Sequence, residues 1–379
     1  MDFSLNEEQT LLKDSVTRYL ESNYDFAERR RIAGTASGFS TEHWQQFAEF
    51  GWLTVPIAES VGGYGGRIED TALMMEAFGR ALVLEPFRDT ILLAGQLIAR
   101  SGNAAAVETV LPAIMAGEHQ GALAAHERHG RQNLCHVETR VERRGEQWLL
   151  NGSKAMVGNG AAADSLVVTA REAGATRDSS GISLLLVPGD LPGVNRQAVP
   201  MMDGSRAAQI TFDNVTLSAD AVLGAPGCGW ALLEPVVQEA RIASCAEALG
   251  IIEILGEKTV EYARTRSQFG TPIGSFQALQ HRMVDMFIAA QQSRSMLYRA
   301  ICEYQQDEDS APATLAAMKS FIGRRGREVG AEAIQLHGGM GMTDELDIGH
   351  YAKRLMMLHQ LFGDSDAARA EFCARSYAA

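Results

Sequence analysis

The sequence predicts a multi-domain α + β protein: a helical N-terminal domain over 1–118, a middle β domain over 119–226 and a C-terminal helical bundle over 227–379. Three observations predict it. Apolar residues recur at helical spacing in the first zone; short alternating or β-branched runs bounded by turn residues fill the second; long helical patterns with short connections fill the third.

In the first zone Leu11, Leu12, Val16 and Leu20 repeat at helical spacing. Thr41 to Phe50 reads as a short amphipathic helix stopped by Gly51, and Asp70 to Ala81 and Thr90 to Arg100 as two more. "VGGYGG" at 61–66 is a loop, because a helix interior does not tolerate four glycines in six residues. In the second zone "WLLNGSKAMV", "SLVVTA", "GISLLLVPG" and "AQITFDNVTL" are strand-like. In the third, patterns at 229–265, 276–306, 311–336 and 344–362 carry apolar stripes, with Pro235 early in the first. Such helices with short loops suggest an antiparallel four-helix bundle.

Composition bounds the function. Apolar residues are 46% of the chain and charged residues 21%, as in ordinary globular proteins. A net charge of −13 argues against a general nucleic-acid binder. The basic residues are almost all arginine, which suits planar anion pairing. The five cysteines are scattered without a CxxC, so neither a zinc site nor a disulfide framework is indicated and no metal is expected. Residues 1–20 lack an apolar core of signal length, and no run of 18 apolar residues occurs, so the expected location is the cytoplasm, away from membranes.

"RTRSQFGTPIGSFQALQH" at 264–281 is the most informative stretch. Arg264 and Arg266 close one helical pattern just before a Gly- and Pro-bearing loop. One reading is cations on a helix C-terminal dipole followed by a turn. The other is an anion site, for a phosphate.

With "LNGSKAMVGNGAAADSLVVTA" (150–170), "GISLLLVPGDLPGV" (181–194), "FDNVTLSADAVLG" (212–224) and "QLHGGMGMTDE" (335–345), the chain resembles the acyl-CoA dehydrogenase family of flavoproteins over essentially its whole length. Its ending, "HYAKRLMMLHQLFGDSDAA" (350–368), is similar to the pimeloyl-CoA dehydrogenase small subunits and their steroid-degrading relatives. The resemblance implies the acyl-CoA dehydrogenase fold, a middle domain of barrel-like form, FAD as cofactor and α,β-desaturation of an acyl-CoA thioester. Electron-transfer flavoprotein or an equivalent acceptor would take the electrons. A carboxylate base in a dry pocket removes the α-proton while the β-hydrogen leaves as hydride to the flavin.

In that family each FAD is shared across a subunit boundary. The set that reaches a neighbour's flavin maps onto Arg266, Gln268, Phe269, Gln335, Gly338 and Gly339, and all are present. Gly338 and Gly339 can also be read as a plain helix stop. The set around the chain's own flavin is altered. Where the family has Thr-Glu-Pro and Gly-Ser-Asp, this chain has His126-Glu127-Arg128 and Arg131-Gln132-Asn133; where it has Trp-Ile-Thr, this chain has Met156-Val157-Gly158. A methionine lacks the indole's area and fixed plane. Drift with main-chain contacts retained is the alternative.

The family's base is missing as well. One branch places a Glu near the chain end, where a count from Gln335 arrives near Phe362; only Asp364 and Asp366 stand close by. Another branch uses a Glu before an Arg on the first bundle helix, and here the pair is Ala240-Arg241. Glu239 is about 100° away round the helix, and Glu247 is two turns along. No catalytic residue is assigned; Asp364, then Glu247, are the fallbacks. The pattern points to the small subunit of a heterotetramer, closing the FAD site of a homologous catalytic large subunit. A self-sufficient homo-oligomeric dehydrogenase and a flavin-free scaffold on the same fold remain open.

Overall fold

The computed structural model describes residues 5–307 and 311–377. They form two compact units. One comprises residues 5–30, 68–83, 241–307 and 311–377, and the other 31–67 and 84–240. The N-terminal zone therefore contributes to both.

The helical unit holds Glu7–Asn23, Ile68–Ala81, the part of Gly229–Thr265 from Arg241 onward, Gln277–Gln306, Pro312–His337, Ile348–Gln360 and Ser365–Tyr377. Pro312 opens its helix where its missing N–H costs nothing. Pro312–His337 packs against Gln277–Gln306, Ile348–Gln360 and Ser365–Tyr377. Leu12, Val16 and Leu20 form the inner stripe of the first helix, and Leu11 turns outward at 63% exposure. Helices Ile68–Ala81 and Gly229–Thr265 meet backbone to backbone. A Cβ on Gly79 would lie 2.1 Å from the Glu247 carbonyl oxygen, and one on Gly250 would lie 2.1 Å from that of Glu76. Only glycine permits that approach.

The other unit is built on one sheet of eight strands: β1 Gly121–Ala124, β2 Arg140–Arg144, β3 Gln147–Gly158, β4 Ser165–Arg171, β5 Ile182–Pro188, β6 Val194–Pro200, β7 Arg206–Ser218 and β8 Val222–Leu223. The hydrogen-bonded order is β6-β7-β3-β2-β4-β5-β8, with β1 parallel on β4, so the barrel-like expectation takes the form of a sheet whose pairing ends at β6 and β8. β4 lies between β1 and β5 and is buried throughout, which is why "SLVVTA" reads as a continuous apolar run. Trp148, Leu150, Val168, Leu185, Ile210 and Phe212 anchor the core. The segment expected as a helix from Thr90 to Arg100 winds instead as a π-helix over Arg88–Gly95 and becomes α-helical only at Gln96–Arg100. Among the described residues, no helix is long and apolar enough to cross a membrane.

Candidate functional site

The arginine-rich stretch forms one corner of the helical unit. Gly229–Thr265 ends at Arg264 and Thr265, and the Arg266 N–H still donates to the Tyr262 carbonyl at 2.8 Å. The chain then makes a hairpin, Ser267–Gln268 paired with Thr271–Pro272, closed at its root by the Ile273 N–H donating to the Arg266 carbonyl at 2.8 Å. Phe269 (φ 54°) and Gly270 (φ 79°) form the tip, both left-handed, in the pattern of a type I′ turn. Phe269 is 94% exposed.

The second segment joins this corner through an aromatic contact. His337 ends Pro312–His337, and its ring stacks on Tyr262 with centroids 4.4 Å apart and planes 25° from parallel. The Tyr262 hydroxyl donates to the His337 carbonyl at 3.4 Å. Gly338 (φ 60°) follows, its N–H donating to the Gln335 carbonyl, and opens the tight turn Gly338–Met342. Arg266, Gln268, Phe269, Gln335, Gly338 and Gly339 are thus exposed residues of two segments that meet at the Tyr262–His337 stack. Among the described residues nothing pairs with the Arg266 guanidinium. A Cβ on Gly338 or Gly339 would meet nothing within 4 Å, so packing inside this chain does not explain glycine at 339. Val284, Phe287 and Ile288 add an exposed apolar face, spaced i, i+3, i+4, on Gln277–Gln306.

The residues matching the family's own-flavin set lie in the β-sheet unit. Glu127 is retained as an internal brace. Its Oε1 accepts from Lys154 Nζ at 2.6 Å and the Thr139 N–H at 3.0 Å, and its Oε2 from the Glu138 N–H at 2.5 Å. Lys154 also donates to Thr169 Oγ1 at 2.8 Å. Burial opposes ionisation of Glu127, but the Lys154 charge and these hydrogen bonds outweigh it and hold the carboxyl below its usual range. Complete burial pulls the Lys154 ammonium down to about 8, against the attraction of Glu127. His136 and Glu138 stand close enough to Glu127 to suggest a metal cluster, but the Glu127 charge is already met by Lys154. Met156 and Gly158 stand where the resemblance puts the family's ring-stacking strand. Met156 (φ 53°) is 46% exposed. Gly158 faces Asp89 of the π-helical segment, and a Cβ there would lie 2.4 Å from Asp89 Oδ1. A side chain at 158 would require the Asp89 carboxylate to move aside.

Each candidate base is otherwise engaged. Asp364 is the N-cap of Ser365–Tyr377, its Oδ1 accepting from the N–H groups of Asp366 (3.1 Å) and Ala367 (2.8 Å). Glu247 is buried and takes the Arg354 Nε–H at 2.5 Å. Glu239 is paired with Arg100 at 2.6 Å, and Ala240 is fully buried. Sequence reasoning missed the Tyr262–His337 stack and the Glu127–Lys154 pair. A lysine at an inward position of an alternating strand was the available signal for the second.

Models of three successive domains of one family match the chain: the acyl-CoA dehydrogenase N-terminal domain over 6–118, the middle domain over 122–215 and the C-terminal domain over 227–376. L-prolyl-[peptidyl-carrier protein] dehydrogenase from Serratia sp. is 28% identical over 388 residues, covering 99% of this chain and 98% of its own. Mitochondrial isovaleryl-CoA dehydrogenase from Pongo abelii is 26% identical over 374 residues, covering 96% and 88%. The solved structure "PigA with FAD and proline" superposes with a TM-score of 0.90 at 26% identity, covering 99% of each chain. A Tcur3481-Tcur3483 steroid ACAD variant gives 0.87 at 26% identity, covering 98% of each.

Proposed function

Because this chain belongs to the acyl-CoA dehydrogenase family of FAD-dependent oxidoreductases, we propose that it is the small subunit of a heteromeric dehydrogenase and completes an FAD site on a homologous catalytic chain. The assembly is a heterotetramer in the cytoplasm that desaturates an acyl-CoA and passes electrons to electron-transfer flavoprotein or an equivalent acceptor. When bound, FAD supplies the hydride acceptor for the acyl β-carbon. This chain's part is to bind and orient. Arg266 offers a planar fork of donors to a pyrophosphate. Gly338 and Gly339 leave the backbone open to a large group.

The observation that carries the reading is Arg266, exposed and without an intrachain partner among the described residues, at the root of an open hairpin. Its counterpart is Gly158, which carries no hydroxyl for this chain's own flavin and has the Asp89 carboxylate packed beside it. The engagement of Asp364, Glu247 and Glu239 supports placing the base on the partner. FAD content decides among the readings. Half-molar FAD relative to total chain, only on co-expression with the partner, is the expected result. Equimolar FAD and robust turnover by the homogeneous chain would make it a self-sufficient homo-oligomer, and absence of FAD with every partner would make it a scaffold.

A further inference from the structure

We infer that Tyr262 and His337 are positioning residues, holding the Arg266 hairpin and the Gly338–Gly339 turn in one fixed relation as the two jaws of the flavin-binding corner. The inference rests on the function proposed above and adds residues that reading does not use.

The two jaws are 72 positions apart, taking Arg266 to Gly338, and belong to different helices. Between them runs a continuous path. The Gly338 turn begins at the His337 carbonyl, which accepts from the Tyr262 hydroxyl; the Tyr262 carbonyl accepts from the Arg266 N–H; the Arg266 carbonyl accepts from the Ile273 N–H at the hairpin root. The stacked rings fix the same two helix ends side-on.

His337 is itself locked. It is 5% exposed, and its Nδ1 lies 2.8 Å from the Ala333 carbonyl, which only accepts, so the proton sits on Nδ1 and the ring orientation is set. Lys258 and Asp347, ion-paired at 2.9 Å, are the charged groups acting on it. The residues at the corner's surface, by contrast, make few contacts of their own. Phe269 is 94% exposed, and the two glycines carry no side chain. Their relative placement therefore depends on what stands behind them, and Tyr262 and His337 stand there.

A stack that only fills space behaves differently from one that positions. Tyr262→Phe keeps the ring and removes the hydroxyl bond; Tyr262→Leu removes both. In the co-expressed complex, FAD measured by flavin fluorescence is expected to bind about tenfold more tightly to wild type than to Tyr262→Leu, with Tyr262→Phe, which keeps the stack but lacks the hydroxyl link, falling between the two. Hydrogen exchange on the full-length chain gives a readout independent of FAD. Tyr262→Leu should speed exchange at Ile273 and Gly338 and leave the rest of both helices protected. If Arg266→Ala releases FAD while Tyr262→Leu binds it as wild type does, the positioning role is wrong and the binding role stands. If Arg266→Ala also retains FAD, the binding role itself is wrong. Should Tyr262→Leu fail to assemble, His337→Leu is read by the same two measurements, and unchanged exchange at Ile273 overturns the inference.

Discussion

Lys154 and Glu127 meet at 2.6 Å with side chains 0% and 3% exposed, and between them they tie β3 and β4 to the 127–139 loop. The loop carries the positions where the family pattern is lost, yet its brace is intact. Lys154→Met should therefore unfold the β-sheet unit more easily, by about 3–5 kcal/mol, because it leaves a buried carboxylate without its cation. Glu127→Gln, which keeps an acceptor for the amides, should cost less. Urea titration followed by tryptophan fluorescence checks both, since all four tryptophans lie in that unit.

Arg266 and Arg264 sit two residues apart at one helix end, both exposed, and the proposed function gives a ligand to Arg266 alone. Arg266→Ala should release FAD from the complex, a loss of about 2–5 kcal/mol typical for one partner of a buried charged contact. Arg264→Ala should cost well under about 1 kcal/mol, as an exposed helix-end cation does. FAD content after gel filtration separates them, and equal retention would remove Arg266 from the site.

Asp364→Asn should leave both the melting temperature and the activity of the complex unchanged, since Asn also caps helices. Asp364→Ala should lower stability by about 1 kcal/mol through loss of the cap. A drop in turnover with normal folding in the Asn variant would instead make Asp364 the base.

His359 links pH to the stability of the helical unit. Burial first, then the charges of Lys319 and Arg327, hold its imidazole below the ordinary range, while Asp364 and Asp366 oppose them more weakly. The Ser365 N–H points at its Nε2 from 3.3 Å, and Lys319 donates to the Leu358 and His359 carbonyls. The folded pKa lies below the unfolded one, so the unfolded chain takes the proton first. The contribution is present above the unfolded value and is lost as pH falls from there through the folded value. Melting temperature should fall as pH drops below about 6.5. His359→Gln should flatten part of that fall, and an unchanged slope would assign it elsewhere.

The helices were legible because their signals are local: Pro312 at a first turn, Leu12, Val16 and Leu20 on one stripe. The winding at Arg88–Gly95 was not, because its apolar spacing is that of any helix. Arg266, Gln335 and the glycines were legible as a motif, but not the means that unites them. Tyr262 and His337 are 75 positions apart, and neither has a spacing that announces the other. The same holds for Glu127 and Lys154, 27 apart, where only the oddity of an inward lysine gave a sign.

Phe269 stands on a two-residue tip, 94% exposed, at the end of a hairpin with only two paired positions on each side. For a cell making this chain, that prong is a liability until something covers it. Exposed loop tips are where proteases nick first, and a bare phenylalanine beside further exposed apolar side chains is a surface on which chains adhere. If the proposed partner covers this prong, copies of the chain made without it should be nicked at the tip sooner than assembled ones, which limited proteolysis of the two forms would read.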